Sequence, residues 1–402
     1  MVDDFHFIDD NTAMYRYFLL AVLTQTAIAS YSPYIQITLR NKGYSYSLVG
    51  VIMALGQAAA IVGPLVLSAL TDKRGRTKPF LILCALVSIL FGIPYFLSSS
   101  TAVVIVSVCL LDAFFWSLNP LSDGFLNRAL KGRSDRYGLL RACGTFGYMT
   151  ALVVFALTGF PDEGSNTSIM KCFVLFLGLY TVAAFMQKEE KRETKGDKKK
   201  FFSPSWFEGR FYLFMLIVAF TRVGQSVVEK LLASYMTEYL DLGQYFSLFI
   251  ALGAFFEFFS MIIFGRLLKK DKVTPSGMLL LSAVALTVRL LLYLVPNIFV
   301  FALAQTLHGL TFGALHVAAT TYTARNTSSE HYEVGMSIYW AVATNLPELI
   351  GSLCGGFVID RWGYPVLFAS YAAFPFIAVI LCLVLRKRIR GRLSDGSLPL
   401  EA

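Results

Sequence analysis

The sequence predicts an all-α polytopic membrane protein, with 12 transmembrane helices arranged as two six-helix bundles. Three observations carry this. The chain of 402 residues is 56% hydrophobic and only 15% charged, with a mean hydropathy of +0.61. A soluble domain carries nearer a quarter charged residues. The apolar residues fall into 12 long runs, and the basic residues cluster between them. Thirty-five Phe and 20 Tyr add to an apolar excess that no water-soluble packing could hide. This composition excludes a soluble enzyme, a nucleic-acid-binding domain and a disordered chain.

A bilayer core of ~30 Å needs ~20 helical residues. Runs of that size cover 13–34, 46–70, 79–98, 101–126, 137–160 and 168–187, then 210–239, 245–268, 275–295, 298–324, 334–359 and 365–386. Barrel strands are short and strictly alternating, and these runs are neither. If both termini are cytoplasmic, the inner segments hold 25 Lys and Arg, and the outer loops hold only Arg40, Lys42 and Arg361. That asymmetry sets the orientation. The net charge of +9 is therefore topogenic and implies no nucleic-acid partner.

The acidic start MVDDFHFIDD lacks the basic region of a signal peptide, so the first run is expected to stay as a helix. The six Cys all lie inside apolar runs without CxxC spacing, and read as buried thiols and not as a metal site. Residues 188–207 form the one long polar connection. They separate a bundle at 1–187 from a second at 208–388, with a cytoplasmic tail at 389–402. A six-plus-six layout points to two repeats around a central cavity.

Ionisable groups inside spans are costly and usually face a cavity or one another. Here they are Asp112, Asp123, Arg141, Arg222, Glu229, Lys230, Glu257, Arg289, His308, His316 and Glu348. Acids and bases nearly balance, so structural ion pairs could satisfy many of them. In helix 4, Asp112, Trp116, Asn119 and Asp123 fall at i, i+4, i+7 and i+11, one helical face. Arg141, Gly144 and Tyr148 share a face of helix 5. Arg222, Gln225 and Glu229 share one of helix 7. Asn345 and Glu348 flank Pro347 in helix 11. Glu257, Arg289 and His308 lie at comparable depth, and a carboxyl, a guanidinium and an imidazole at one level suit proton handling. Gly144, Gly147, Gly351 and Gly355 read as close-packing positions.

Residues 64–80, PLVLSALTDKRGRTKPF, resemble the loop signature of the major facilitator superfamily. Asp72, Gly75 and Arg76 match it and would gate the inner face, while Ser68 replaces its usual leading Gly. NPLSDGFLNR followed by YGLLRACGTFGY is similar to the helix 4–5 region of the lactose and phenylpropionate permease branch, as is ASYSPYIQITL in helix 1. The resemblance implies solute contacts for Asp123, Arg141 and Tyr148. SAVALTVRLLL and QTLHGLTFGALH are similar to the segments that supply an Arg and a His to proton coupling, here Arg289 and His308. The carboxylate expected one turn after that His is Thr311. Glu257, in GAFFEFF, is nominated in its place, with Glu348 and Glu229 behind it.

The expectation is a secondary transporter working by alternating access, acting as a monomer in the cell membrane. A proton is the coupling ion, and no cofactor or metal is required. The solute would lie between helices 1, 4 and 5 and helices 7, 8, 10 and 11. Further candidate contacts are Tyr31, Tyr34, Gln57, Asp112, Trp116, Asn119, Gln225 and Asn345. Aromatic faces beside carboxyl and guanidinium groups suit a sugar or nucleoside, and an aromatic carboxylate held by an arginine is the alternative. The resemblance implies uptake. A membrane-embedded enzyme lacks support, since no HExxH or nucleotide loop is present. A non-transporting sensor with a carrier fold is the remaining reading.

Overall fold

The structure is a computed structural model that describes residues 2–130, 134–188, 207–327 and 332–390. Among these, all regular elements are helical. They are α1 (Val2–Ala29), α2 (Ile35–Asn41), α3 (Tyr46–Arg74), α4 (Lys78–Leu97), α5 (Thr101–Phe115), α6 (Leu118–Ala129), α7 (Ser134–Thr158) and α8 (Asn166–Met186). The second half holds α9 (Gly209–Lys230), α10 (Leu232–Ser234), α11 (Phe246–Lys269), α12 (Pro275–Leu292), α13 (Ile298–Thr306), α14 (Ala314–Asn326), α15 (Tyr332–Trp340) and α16 (Leu346–Val384).

Ten helical stretches among the described residues are long and apolar enough to cross a bilayer. This differs from the 12 read in the sequence at two places. Ala142–Thr158, the apolar part of α7, falls among the shorter apolar helices. Val334–Val384 runs as one stretch of 51 residues, yet Gly363 within it has φ 77° and ψ −179° and interrupts the helix just before Pro365. That φ lies in the region only glycine enters freely, and proline cannot continue the preceding hydrogen-bond ladder.

Apolar side chains are left outside at helical spacing. On α4, Leu83, Leu86, Leu90, Ile93 and Leu97 are all exposed. Against lipid tails such a stripe costs nothing, and helix association rests on packing and polar contacts instead.

Internal contacts divide the chain into two units. The first comprises Met1–Tyr44 and Leu55–Asp197, the second Ser45–Ala54 and Lys198–Ala402. In the first, Tyr31 is fully buried among Tyr95, Phe96, Phe115 and Phe173, with ring centroids 4.9–6.4 Å away. Lys42 donates to the Phe96 and Ser98 carbonyls at 2.8 and 2.7 Å, closing the end of α4. Lys78 does the same for α8, reaching the Phe185 and Gln187 carbonyls. Both satisfy carbonyls that a helix end leaves without partners. The fourth span breaks between α5 and α6, because Pro120 has no N–H for the Trp116 carbonyl. The Ser117 N–H turns to Phe114 O at 3.2 Å and its hydroxyl to Ala113 O at 2.7 Å.

In the second unit, Phe214 stacks on Tyr322 at 3.7 Å in an apolar core with Phe207, Phe211, Ile217 and Leu315. Among the described residues, π-helical turns interrupt the helices at Tyr235–Tyr239, Gly309–Gly313 and Ala341–Asn345. The second is held from two sides: Ser260 donates to Gly309 O at 2.6 Å and Ser282 to Thr311 O at 2.8 Å. Gly309 is required there, since a Cβ would sit 2.5 Å from the Phe256 carbonyl oxygen. The third lies just ahead of Pro347, whose ring crowds the carbonyl four residues back. The start of α3 also belongs to this unit, and Asp360 caps it, accepting from the Tyr46 and Ser47 N–H groups at 3.0 and 2.6 Å.

Candidate functional site

In the first unit the helix break splits the polar face expected on the fourth span. Asp112 turns into the aromatic core, where it is 4% exposed and accepts from the Tyr31 hydroxyl at 2.8 Å. It also lies against Gly56, where a Cβ would strike its carboxylate. Tyr34, equally buried, sits in the 3-10 turn Ser32–Tyr34. Asn119 and Asp123, on the far side of the break, line a small cleft with Thr24, Gln25, Ser122 and Gly144. Gln25 donates to Asn119 at 3.2 Å there. Gly144 and Gly147 let α7 approach α1, with Gln25 and Val22 filling the space a Cβ would need. Gln57, Trp116 and Tyr148 are half-buried. The side chains of Arg141 and Asp72 lie outside the described residues. In the 2–3 loop, Gly75 has φ 69° and its N–H closes the end of α3 on Thr71 O at 2.9 Å, while Arg76 is exposed.

The second unit brings Glu257, His308 and Arg289 together. Glu257 Oε2 lies 3.2 Å from His308 Nε2, and His308 Nδ1 lies 2.8 Å from Arg289 Nη1. Arg289, 1% exposed, also donates to the Tyr293 hydroxyl, Thr311 Oγ1 and Gln305 Oε1 at 2.9–3.0 Å. A guanidinium has no acceptor, so His308 Nδ1 must accept. The remaining imidazole N–H is then on Nε2 and points at Glu257. A doubly protonated His308 would set its Nδ1–H against the Arg289 N–H at this distance. Thr311, where the resemblance led to a carboxylate, serves as an acceptor for Arg289. The π turn presents it: the Ser282 bond holds Thr311 O while Oγ1 faces α12.

A second charged group lies beside the first. Arg222 donates to Glu229 Oε1 at 3.0 Å and Glu348 Oε1 at 2.6 Å, and Lys230 Nζ is 3.5 Å from Glu348 Oε2. Two carboxylates balance two cations, which is the arrangement that makes buried charge tolerable. The Arg222 guanidinium stands 5.0 Å over the Phe312 ring, which stacks along its helix between His308 and His316. Phe312 thus joins the two charged groups. His316 Nδ1 is 2.9 Å from the Tyr339 hydroxyl. Gln225, on the face of α9 shared with Arg222 and Glu229, is fully buried, and neither amide atom has a hydrogen-bond partner among the described residues. Asn345 ends the third π turn and is half-buried. The sequence reading missed Trp340, which contacts His316 at 5.4 Å, and Phe312; the His308, Phe312, His316 spacing of four was the available signal.

Long apolar helices enclosing paired charges make this a multi-pass membrane protein. The profile of the MFS_1 like family matches residues 14–370. The chain belongs to that family, within the major facilitator superfamily. It is 24% identical over 372 residues to the uncharacterized transporter YwbF of Bacillus subtilis, covering 91% of this chain and 90% of that one. A maltose permease of Geobacillus stearothermophilus is 22% identical, with 93% and 94% covered, and a probable 3-phenylpropionic acid transporter of Escherichia coli 22%, with 83% and 88%. The solved nucleoside transporter NupG shares the fold, with a TM-score of 0.74 at 13% identity over 94% of this chain and all of the other.

Proposed function

We propose that the chain is a proton-coupled carrier that takes up a small hydroxylated solute, a sugar or nucleoside, by alternating access. In this reading it acts as a monomer with 12 crossings and both termini in the cytoplasm. The Glu257–His308–Arg289 chain carries the reading. Its carboxyl end is partly exposed, at 23% of the Glu257 side chain and 18% of His308, and its far end is locked in four hydrogen bonds. A proton on Glu257 cancels a negative charge held in the membrane and leaves a neutral pair with His308. That favours the step in which the loaded carrier reorients, and loss of the proton inside resets it.

A neutral solute is favoured over an aromatic carboxylate by the state of Arg222 and Arg289, the arginines of the two charged groups. Arg289 is filled by protein acceptors, and Arg222 already holds two carboxylates. Neither is free to anchor an acid. The coupling is tested by solute-driven alkalinisation of the medium around cells. Glu257→Gln should abolish it, and accumulation with it, while solute exchange persists. Accumulation left intact in Glu257→Gln would remove this coupling role.

A further inference from the structure

The helical stretch Ile298–Asn326 carries two imidazoles, and a phenyl ring separates them. Phe312 follows His308 by four residues and precedes His316 by four. Its ring lies nearly parallel to both, tilted by 12° and 9°, with centroids 5.7 and 6.0 Å away. Each imidazole is tied to its own set of groups. The nitrogens of His308 face Glu257 from α11 and Arg289 from α12, whereas His316 Nδ1 meets the Tyr339 hydroxyl of α15. Along this helix Phe312 stands between the two sets.

A proton moves through a protein by hops between nitrogen and oxygen atoms about 2.9 Å apart. A phenyl ring offers neither a lone pair nor an exchangeable hydrogen, and each centroid gap here is about twice that length. The ring is also held in place. The Arg222 guanidinium stands 5.0 Å over it, and Arg222 is itself fixed by Glu229 and Glu348. A cation over an aromatic face is attracted to it, the more so away from water. On the other flank the π turn meets α11 backbone to backbone. A Cβ on Gly309 would lie 2.5 Å from the Phe256 carbonyl oxygen, and one on Gly313 3.1 Å from that of Glu257. So α11 packs directly on the turn that carries the ring. His316 lies nearer Arg325, at the end of α14 that the proposed orientation puts in the cytoplasm, and His308 lies two turns farther out.

We propose that Phe312 is a proton stopper. It separates the Glu257–His308 pair from His316, and so keeps a proton taken up at Glu257 from running inward without solute. This rests on the coupling reading above and adds the residue that makes coupling tight. Phe312 binds no proton itself, and acts by keeping apart groups that do.

The test needs no solute. Full-length protein is reconstituted into liposomes that enclose a pH-sensitive dye, a pH difference is imposed, and valinomycin with potassium balances the charge moved. The wild-type protein should pass protons no faster than liposomes holding no protein. Phe312→His inserts a third imidazole, and Phe312→Ala opens space for water. At least one of the two should raise the proton flux about tenfold. Phe312→Leu, whose side chain is also apolar and without an exchangeable hydrogen, should stay at the wild-type rate. Adding Glu257→Gln to the leaking variant should return it to that rate. Wild-type flux in both Phe312→His and Phe312→Ala overturns the stopper and leaves the coupling reading to its own test. An equal leak in Phe312→Leu also overturns it, since the ring would then only hold helices together. A leak that survives Glu257→Gln means that protons enter elsewhere, and overturns Glu257 as the coupling site together with the stopper.

Discussion

Arg289 spends all three guanidinium nitrogens on four acceptors: Tyr293 just after α12, Gln305 of α13, His308 beyond it and Thr311 of the π turn. A lysine offers a single nitrogen and cannot reproduce that fork. Arg289→Lys should therefore destabilise the protein by about 3 kcal/mol, the low end for disrupting a buried charged group. Thermal unfolding of the purified variant measures this, and an unchanged melting temperature would mean the four bonds contribute little. Outside the membrane, burial and the neighbouring Asp162 push the Glu163 carboxyl up to about 8. A raised carboxyl binds more protons folded than unfolded. Its contribution is complete below the unfolded value near 4.3 and is lost as pH rises through about 8. Stability should fall between pH 5 and 9, and Glu163→Gln should flatten that fall in pH-dependent melting curves. At this scale the sequence was informative where depth alone decides: Glu257, Arg289 and His308 do meet. It could not show that Arg222 holds Glu348, 126 residues away, or that Asp112 turns to Tyr31, because both depend on which helices touch.

At the scale of elements, the π turns are what a strict 3.6-residue period conceals. On an ordinary helix Asn345 would stand about 140° round from Trp340. The wider turn takes back roughly one residue of that rotation. The facing of Asn345 was therefore not legible from spacing, although Pro347 marked the place. The turn at Gly309–Gly313 depends on two hydroxyls and one missing side chain. Ser282→Ala leaves the Thr311 carbonyl without its partner and should cost about 1–3 kcal/mol. Gly309→Ala should cost more, since its Cβ would strike the Phe256 backbone. Melting temperatures in that order check the account, and the reverse order would place the weight on the hydroxyl instead. Span boundaries read from apolar runs agree with α4, α8 and α12 to within a few residues. The break at Trp116 was hidden because it falls inside one span-length run, Thr101–Leu126, and only Pro120 marks it.

For the molecule as a whole, the sequence reading found repetition only in hydropathy, and the structure adds residues to it. Arg128, at the end of α6, donates to Thr77 at 2.8 Å, 51 residues earlier, at the N-cap of α4. Arg325, at the end of α14, stands the same distance after Thr274, the N-cap of α12. It is tied to Leu268 O and Asp271 at 2.8 and 3.1 Å. Each unit thus fastens one interhelical loop with an arginine from the end of the second span after it. The proposed orientation makes both loops cytoplasmic. In a variant lacking native cysteines, single cysteines at Ser100 and Asp162 should react with an impermeant maleimide added outside intact cells, and cysteines at Lys73 and Lys270 should not. Labelling of all four from outside would overturn the orientation.

The cap on α3 carries a consequence for biosynthesis. Asp360 lies 314 residues after Tyr46, whose N–H it receives. At roughly 5–20 residues per second the ribosome delivers it about 15–60 s after the helix it completes. During that interval the first amides of α3 depend on water at the bilayer edge, and the helix gains its proper beginning only when nearly the whole polypeptide has been made.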